Sequence, residues 1–219
     1  MMITNPEEKP PMSPELSLKE IPSSAYETLY ALMKRDFPAA GELAPFFAIK
    51  RNLDKGVYTG YFLTSGAENE SADTGAPPDA ELGYMLLTAP HGMDSALINY
   101  FAIYPAYRAQ GYGSEFLKIV LSRYPNRVFV LEAEDPAAQK TDILRDAAQR
   151  RIKFYERAGF SVLPTAKARI FGADMLIMAG AREKKACGNI SARETMRALY
   201  LPAFGSKRWL RFIDVRDSI

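Results

Sequence analysis

Residues 104–114, Tyr-Pro-Ala-Tyr-Arg-Ala-Gln-Gly-Tyr-Gly-Ser, constrain this chain more than any other stretch, because they set a glycine-bearing turn between an apolar strand and an amphipathic helix. Upstream, residues 96–104 are rich in aromatic and β-branched side chains, as a half-buried strand should be, and Pro105 stops them. Downstream, Tyr112, Phe116, Leu117, Val120, Leu121 and Tyr124 form one apolar stripe, which predicts a helix over residues 111–124. The helix therefore starts at the glycines. Its first N–H groups lack intrahelical acceptors, and with the positive end of the helix dipole they favour an anion. Gly111 and Gly113 let a phosphate approach the backbone, and Arg108 adds a positive charge. The spacing is neither a Walker A loop, since no Gly-Lys-Ser/Thr follows, nor a dinucleotide fingerprint, since it reads Arg-x-x-Gly-x-Gly. A plain strand-turn-helix with a glycine cap would give the same pattern.

A second motif narrows the choice. Residues 151–160 read Arg-Ile-Lys-Phe-Tyr-Glu-Arg-Ala-Gly-Phe, with Tyr155 four residues before the Gly159-Phe160 pair, and a strand at residues 127–133 separates the two motifs. Together, Arg108-x-x-Gly111-x-Gly113 and this helix-to-strand junction resemble the GCN5-related N-acetyltransferase (GNAT) family over residues 16–163. The resemblance implies an α/β (mixed α+β) fold, a GNAT-like twisted mixed sheet flanked by helices, with a C-terminal strand/helix extension. It implies that the strands ending near Ile103 and Ala133 splay apart around the pantetheine of a coenzyme A cofactor, acetyl-CoA. The order β-α-β-β-β-α-β-α-β-β agrees with that arrangement.

Composition removes other classes. At 219 residues and 47% hydrophobic the chain can bury a substantial core as one domain with extensions. A net charge of +2, with basic residues scattered among acidic ones, does not grip nucleic acid. The single cysteine, Cys187, excludes an intrachain disulfide framework and suits a reducing compartment. No apolar run reaches the roughly 18–20 residues that span a bilayer, and no signal-peptide core opens the chain, so a cytoplasmic location with no membrane partner is expected. The lone His91 lies in a turn with no cluster to make a metal site.

Residues 1–14, with four prolines, read as a disordered lead-in, 15–180 as the acyltransferase domain with a mobile loop at 64–80, and 181–219 as a C-terminal helical extension packed on it. Residues 16–21, 46–50, 57–63 and 81–88 read as strands, and Pro22-Ser-Ser offers an N-cap to a helix carrying Tyr26, Leu29, Tyr30, Leu32 and Met33. Late strands are expected at 160–163, 168–171 and 174–178, then a helix from Ser191 with Met196, Leu199 and Tyr200 apolar, and a basic, Trp-bearing tail at 207–212. The C-terminal strand and helix offer the surface for a homodimer.

Site roles follow from the resemblance. Backbone groups of Phe101, Ala102 and Ile103 would pair with pantetheine, with the Ile103 N–H as oxyanion donor. Main-chain amides of Ala109, Gln110, Gly111, Tyr112, Gly113 and Ser114, with Arg108, would hold the pyrophosphate. Tyr155 corresponds to the acid that protonates the departing thiolate, or is an amphipathic core residue. Glu132 matches a carboxylate that serves as base through water, or is a solvated glutamate; alternation puts it with Val128, Val130 and Glu134 on one side of its strand. Arg151 or Lys153 could meet the adenosine 3′-phosphate. Ala148 stands where some relatives carry a cofactor-contacting asparagine. The implied activity is transfer of the acetyl group of acetyl-CoA to the primary amine of a small molecule or peptide; the alternative is a non-catalytic acyl-CoA-binding sensor on the same scaffold. Tyr26, Tyr30, Phe46, Phe47, Tyr84 and Tyr100 line an aromatic acceptor pocket or belong to the core.

Overall fold

The computed structural model describes residues 16–38, 43–66, 80–182 and 190–218. The expected lead-in, nearly all of the loop at 64–80 and Cys187 lie outside the described residues. The elements run β1 (Leu16–Glu20), α1 (Tyr26–Asp36), α2 (Phe46–Asp54), β2 (Tyr58–Ser65), β3 (Glu81–Thr88), β4 (Ser95–Ile103), α3 (Tyr112–Arg123), β5 (Val128–Glu134), α4 (Asp142–Arg157), β6 (Ser161–Val162), β7 (Thr165–Ile170), β8 (Ala173–Gly180), α5 (Ala192–Phe204), α6 (Ser206–Phe212) and β9 (Ile213–Asp217). The strands form one mixed sheet in the order β1-β2-β3-β4-β5-β8-β7-β9, with β6 also on β8. Every pairing is antiparallel except β4 with β5.

Period-2 alternation divides the sheet between two faces. Tyr61, Leu63, Met85, Ile98, Phe129 and Leu131 pack against Phe116, Leu117 and Val120 of α3 and Tyr155 of α4. On the opposite face, Phe62, Tyr84 and Leu86 meet Leu29 and Met33 of α1 and Ile49 and Leu53 of α2. Beside them Val128, Val130 and Ile177 meet Met196, Leu199 and Tyr200 of α5. The helices are closed by local chemistry: Thr141 and Ser191 accept from Leu144 and Glu194 at the N-termini of α4 and α5, and Gly159 at φ +92° follows the end of α4.

Two expectations are corrected. Residues 46–50 are the first turns of α2, not a strand: Ile49 and Leu53 are buried, Phe47 and Lys50 exposed, a helical period that five residues are too few to reveal. The Pro22-Ser-Ser segment makes a single 3₁₀ turn, and α1 begins after Ala25 with no side-chain cap. The C-terminal extension carries helices and a strand. It ends in β9, where Ile213 and Val215 point inward and pair along β7, while Trp209 anchors α6 at 5% exposure.

Gly83 fixes the end of β4. It lies opposite Ile103, and a Cβ there would meet the Ala102 carbonyl oxygen at 2.4 Å. Gly83→Ala is expected to lower unfolding stability by about 1–3 kcal/mol, since the obstacle is backbone rather than a flexible side chain; urea denaturation measures it, and an unchanged midpoint would contradict this packing.

Candidate active site

The site begins with a fault in the sheet. β4 and β5 pair only through Ser95↔Val128, Ala96↔Phe129 and Leu97↔Val130. On the β3 side the register steps from Leu86↔Tyr100 to Leu87↔Ile98, which leaves Asn99 as an extra residue on β4. Such a bulge bends the strand that carries it. β5 stays paired with β8 from Phe129↔Gly180 to Glu134↔Met175, so the two strands part and their facing edges open.

Backbone direction then decides which groups face the opening. The Tyr104 N–H donates to Leu82 on β3 at 2.9 Å. In an antiparallel ladder successive residues turn their amides to alternate sides, so Ala102 also faces β3, opposite Tyr84, while Phe101 and Ile103 face the gap. This corrects the expectation for Ala102, whose amide belongs to the sheet. The Ile103 carbonyl accepts from Arg108 Nε at 2.8 Å, leaving its N–H toward the gap.

Past Ile103, residues Pro105–Tyr107 make a 3₁₀ turn, and Ala109 at φ +61° and Gly111 at φ +87° turn the chain into α3. The amides of Ala109, Gln110, Gly111 and Gly113 have no backbone acceptor among the described residues. A Cβ built on Gly111 would meet nothing within 4 Å, so the space beside the turn at that residue is open. Consecutive amides around left-handed residues form an anion-binding concavity. Gly113 matters for packing instead, since a Cβ there would meet the Phe154 ring at 3.2 Å and its absence allows α3 and α4 to close up. The Ser114 N–H donates to the Gly111 carbonyl at 3.0 Å and belongs to the helix rather than the concavity. The Gln110 side chain folds back on the Ala106 carbonyl at 2.9 Å.

Arg108 is not aimed into that turn. Its guanidinium bonds Asp36 at 3.1 Å, and Asp36, at the end of α1, also accepts from Arg35 and from the buried Tyr84 hydroxyl. The sequence placed a free charge at the phosphate; the structure uses it to tie α1 to the end of β4. A carboxylate at a helix C-terminus opposes the dipole, which explains why two guanidiniums gather on it.

Across the sheet from α3 and α4, the parted strands open on a cavity of about 590 Å³. α1 and the start of α2 wall one side, α5 and the β7–β8 turn the other, and Leu97, Asn99 and Tyr100 the floor. Glu132 and Glu134 of β5 face into it, on the side the alternation assigned. Glu132 is half-buried, its carboxyl opening on the cavity but otherwise surrounded by protein. Burial pushes it up to about 7, with the Tyr200 hydroxyl, donating at 2.5 Å, pulling the other way. Tyr200 is raised well above its ordinary value, by burial first and then by Glu132, so it stays a donor. The role of the Tyr200 hydroxyl is not legible in the sequence. A helix stripe of Met196, Leu199 and Tyr200 looks like core, and only the partner 68 positions away gives its hydroxyl a purpose.

Arg151 forms an ion pair with Glu134 at the cavity margin, and so differs from a residue held outward for the 3′-phosphate. Tyr155 is buried against Phe154 and Phe160, with ring centroids 5.1 and 5.9 Å away. It does not line the cavity; it lies on the α3/α4 face, and the Arg151–Glu134 pair acts on it electrostatically. Burial pushes its phenol up to about 12. Among the described residues no protein group hydrogen-bonds its hydroxyl. Of the six aromatic residues named for an acceptor pocket, Phe47 and Tyr100 line the cavity, while Tyr84 is core. Among the described residues no cluster could hold a metal ion, and no helix is long and apolar enough to cross a membrane.

No protein-family model matches the chain, and no curated protein does. Solved structures do. A protein assigned to the GNAT acetyltransferases of Bacteroides thetaiotaomicron superposes with a TM-score of 0.60 at 19% identity, over 87% of this chain and 99% of that one. Spermidine N-acetyltransferase of Vibrio cholerae, in a dodecameric form, gives 0.54 at 11% identity over 80% and 98%. The same enzyme in complex with CoA and spermine gives 0.53 at 12% over 75% and 94%. The bulged β4, the parted β5 and the glycine-started α3 are thus set in a known framework, and this chain has the GNAT fold.

Proposed function

We propose that the protein is an N-acetyltransferase that moves the acetyl group of acetyl-CoA to a primary amine. The observation that carries this reading is the parting of β4 from β5 beside an amide-rich helix start, with a carboxylate-bearing cavity on the far side of the gap. The chain's own groups fit such a substrate: Phe101 and Ile103 offer strand-edge hydrogen bonds to an extended amide-bearing arm, and the turn at Ala109, Gln110, Gly111 and Gly113 suits a pyrophosphate. That one neighbour with this fold is a spermidine N-acetyltransferase, seen in complex with CoA and spermine, supports the reading without fixing the acceptor.

A bound acetyl-CoA supplies the thioester carbonyl that the amine attacks. The Ile103 N–H faces the place where negative charge develops, a contribution of about 2.7–4 kcal/mol for one oriented donor. Glu132 accepts a proton from the incoming ammonium, since burial makes its neutral form accessible near neutrality. Tyr155 donates toward the leaving sulfur. An N–C bond forms, a C–S bond breaks, and two protons leave nitrogen, one ending on the thiol and one passing to solvent through Glu132.

The test is thiol release from acetyl-CoA with saturating amine as a function of pH. Glu132 must be ionised to act as base, so its raised value means that kcat climbs as pH rises through about 7. The titratable groups facing it, Tyr58, Tyr100 and Tyr200, are all pushed up and stay neutral there. Glu132→Gln should lose that inflection and most of the rate; an unchanged profile would remove Glu132 from the mechanism.

A further inference from the structure

The cavity is more specific than the transfer reading requires. Among the described residues that line it, three carry carboxylates, and two of these are already neutralised: Asp36 by Arg35 and Arg108, and Glu134 by Arg151. Only Glu132 has no cation, its partner being the hydroxyl of Tyr200. The remainder of the lining is mostly apolar. Ile170, Phe171 and Met175 come from the β7–β8 hairpin, and Phe204 and Phe212 from the C-terminal helices. Phe171 is the centre of an aromatic cluster, with Phe204 at 5.5 Å and Phe212 stacked at 5.8 Å, and it is held at φ +48°, which a bulky side chain adopts only under tertiary constraint.

We propose that the acceptor is a hydrophobic monoamine, an arylalkyl- or alkylamine whose single ammonium group meets Glu132 while its apolar body lies against the aromatic cluster around Phe171. The inference rests on the transfer reading above and concerns the same site. A cation deep in such a cavity needs one counter-charge, and Glu132 is the carboxylate left to provide it. Once both ions are desolvated, passing the proton from ammonium to Glu132 leaves two neutral groups, which is the form of the amine that attacks.

The lining also argues against other amines. A polyamine would bring a second and third ammonium group against Ile170, Phe204 and Phe212, where among the described residues no free carboxylate answers them. A peptide would bring backbone amides into a wall whose one carboxamide among the described residues, Asn99, already accepts from Thr88 at 2.8 Å. The volume, about 590 Å³, is in the range of small-molecule sites and holds a phenylethyl group with space left for the acyl end.

The experiment offers the full-length protein acetyl-CoA with 2-phenylethylamine, hexylamine, spermidine and a tetrapeptide with a free N-terminus in competition, identifies the products by mass spectrometry, and titrates acetyl-CoA and each amine separately by calorimetry. The two monoamines should be acetylated with kcat/KM at least about tenfold above the others, the unpaired-charge penalty setting the margin. Phe171→Ala should erode that preference. Glu132→Gln should weaken 2-phenylethylamine binding roughly 10- to 100-fold, the scale of a lost charged hydrogen bond, while leaving acetyl-CoA affinity alone. Preference for spermidine or the peptide, with acetyl-CoA bound and consumed, would overturn the acceptor assignment and leave the transfer reading standing. Failure of the folded protein to bind acetyl-CoA or acetylate any of the four would overturn both.

Discussion

Replacing Gly111 with aspartate should reduce acetyl-CoA affinity by roughly 100- to 1,000-fold, the scale set by about 4 kcal/mol between unit charges 4 Å apart near a protein surface. The direction follows from the turn. Gly111 is the last residue before α3, set among amides of Ala109, Gln110 and Gly113 that no backbone acceptor claims, and a Cβ built there enters open space. A carboxylate at that point occupies the place of the pyrophosphate and repels it. The comparison that isolates charge is Gly111→Asn. Asparagine has the same shape and tolerates the left-handed conformation at φ +87°, as aspartate does, so backbone strain is nearly equal in the two variants. Calorimetry should therefore show Asn binding far closer to wild type than Asp. If both bind like wild type, the turn is a structural cap and not an anion site. Arg108 should matter less to binding than its place in the motif suggests, because Asp36 and the Ile103 carbonyl already occupy its guanidinium.

What the chain disclosed in advance was the local, periodic part of this arrangement. The strand into Ile103, the glycine start of α3, the helix-to-strand junction at Tyr155 and Gly159, and the facing of Glu132 with Val128 and Val130 all depend on neighbours within a few residues, where periodicity and turn chemistry speak directly. Most of the misreadings have a different cause. Asn99 looks like any strand residue; it becomes a bulge only because β3 pairs Leu86 with Tyr100 and Leu87 with Ile98. Arg108 was legible as a charge but not as the partner of Asp36, 72 positions earlier. Tyr200 was legible as apolar helix face, yet its hydroxyl meets a carboxylate from β5. Residues 46–50 failed for want of length, since the helical period shows only when Leu53 is counted with Ile49. Contacts between distant segments leave no local trace, and the chemistry of this cavity is made of them.

Tyr155→Phe should lower kcat by about 10²–10⁴-fold, the usual worth of a positioned acid, while acetyl-CoA affinity and melting temperature stay near wild type. Stability should hold because the phenyl ring keeps its packing on Phe154 and Phe160, and the lost hydroxyl leaves no protein partner unsatisfied among the described residues. That asymmetry separates a chemical role from a packing one: a residue needed only for the core would tolerate the change in rate as well as in stability. The raised value of the phenol, about 12, shapes the rest of the expectation. A free thiol loses its proton near 8.5, so a complete transfer from Tyr155 to a hydrated thiolate would run uphill by several kcal/mol. Burial, however, destabilises a thiolate leaving into the gap for the same reason that it destabilises the phenolate, and Arg151 favours the phenolate. The two acidities are thereby drawn together, and the hydroxyl helps most as a donor to sulfur while the C–S bond breaks. Since Tyr155 remains protonated well above neutrality, it should add no falling limb to kcat between pH 7 and 10, values that lie below its raised value. A variant within about twofold of wild-type kcat would show that solvent protonates the thiolate, and Tyr155 would then be what its burial alone says, a core residue.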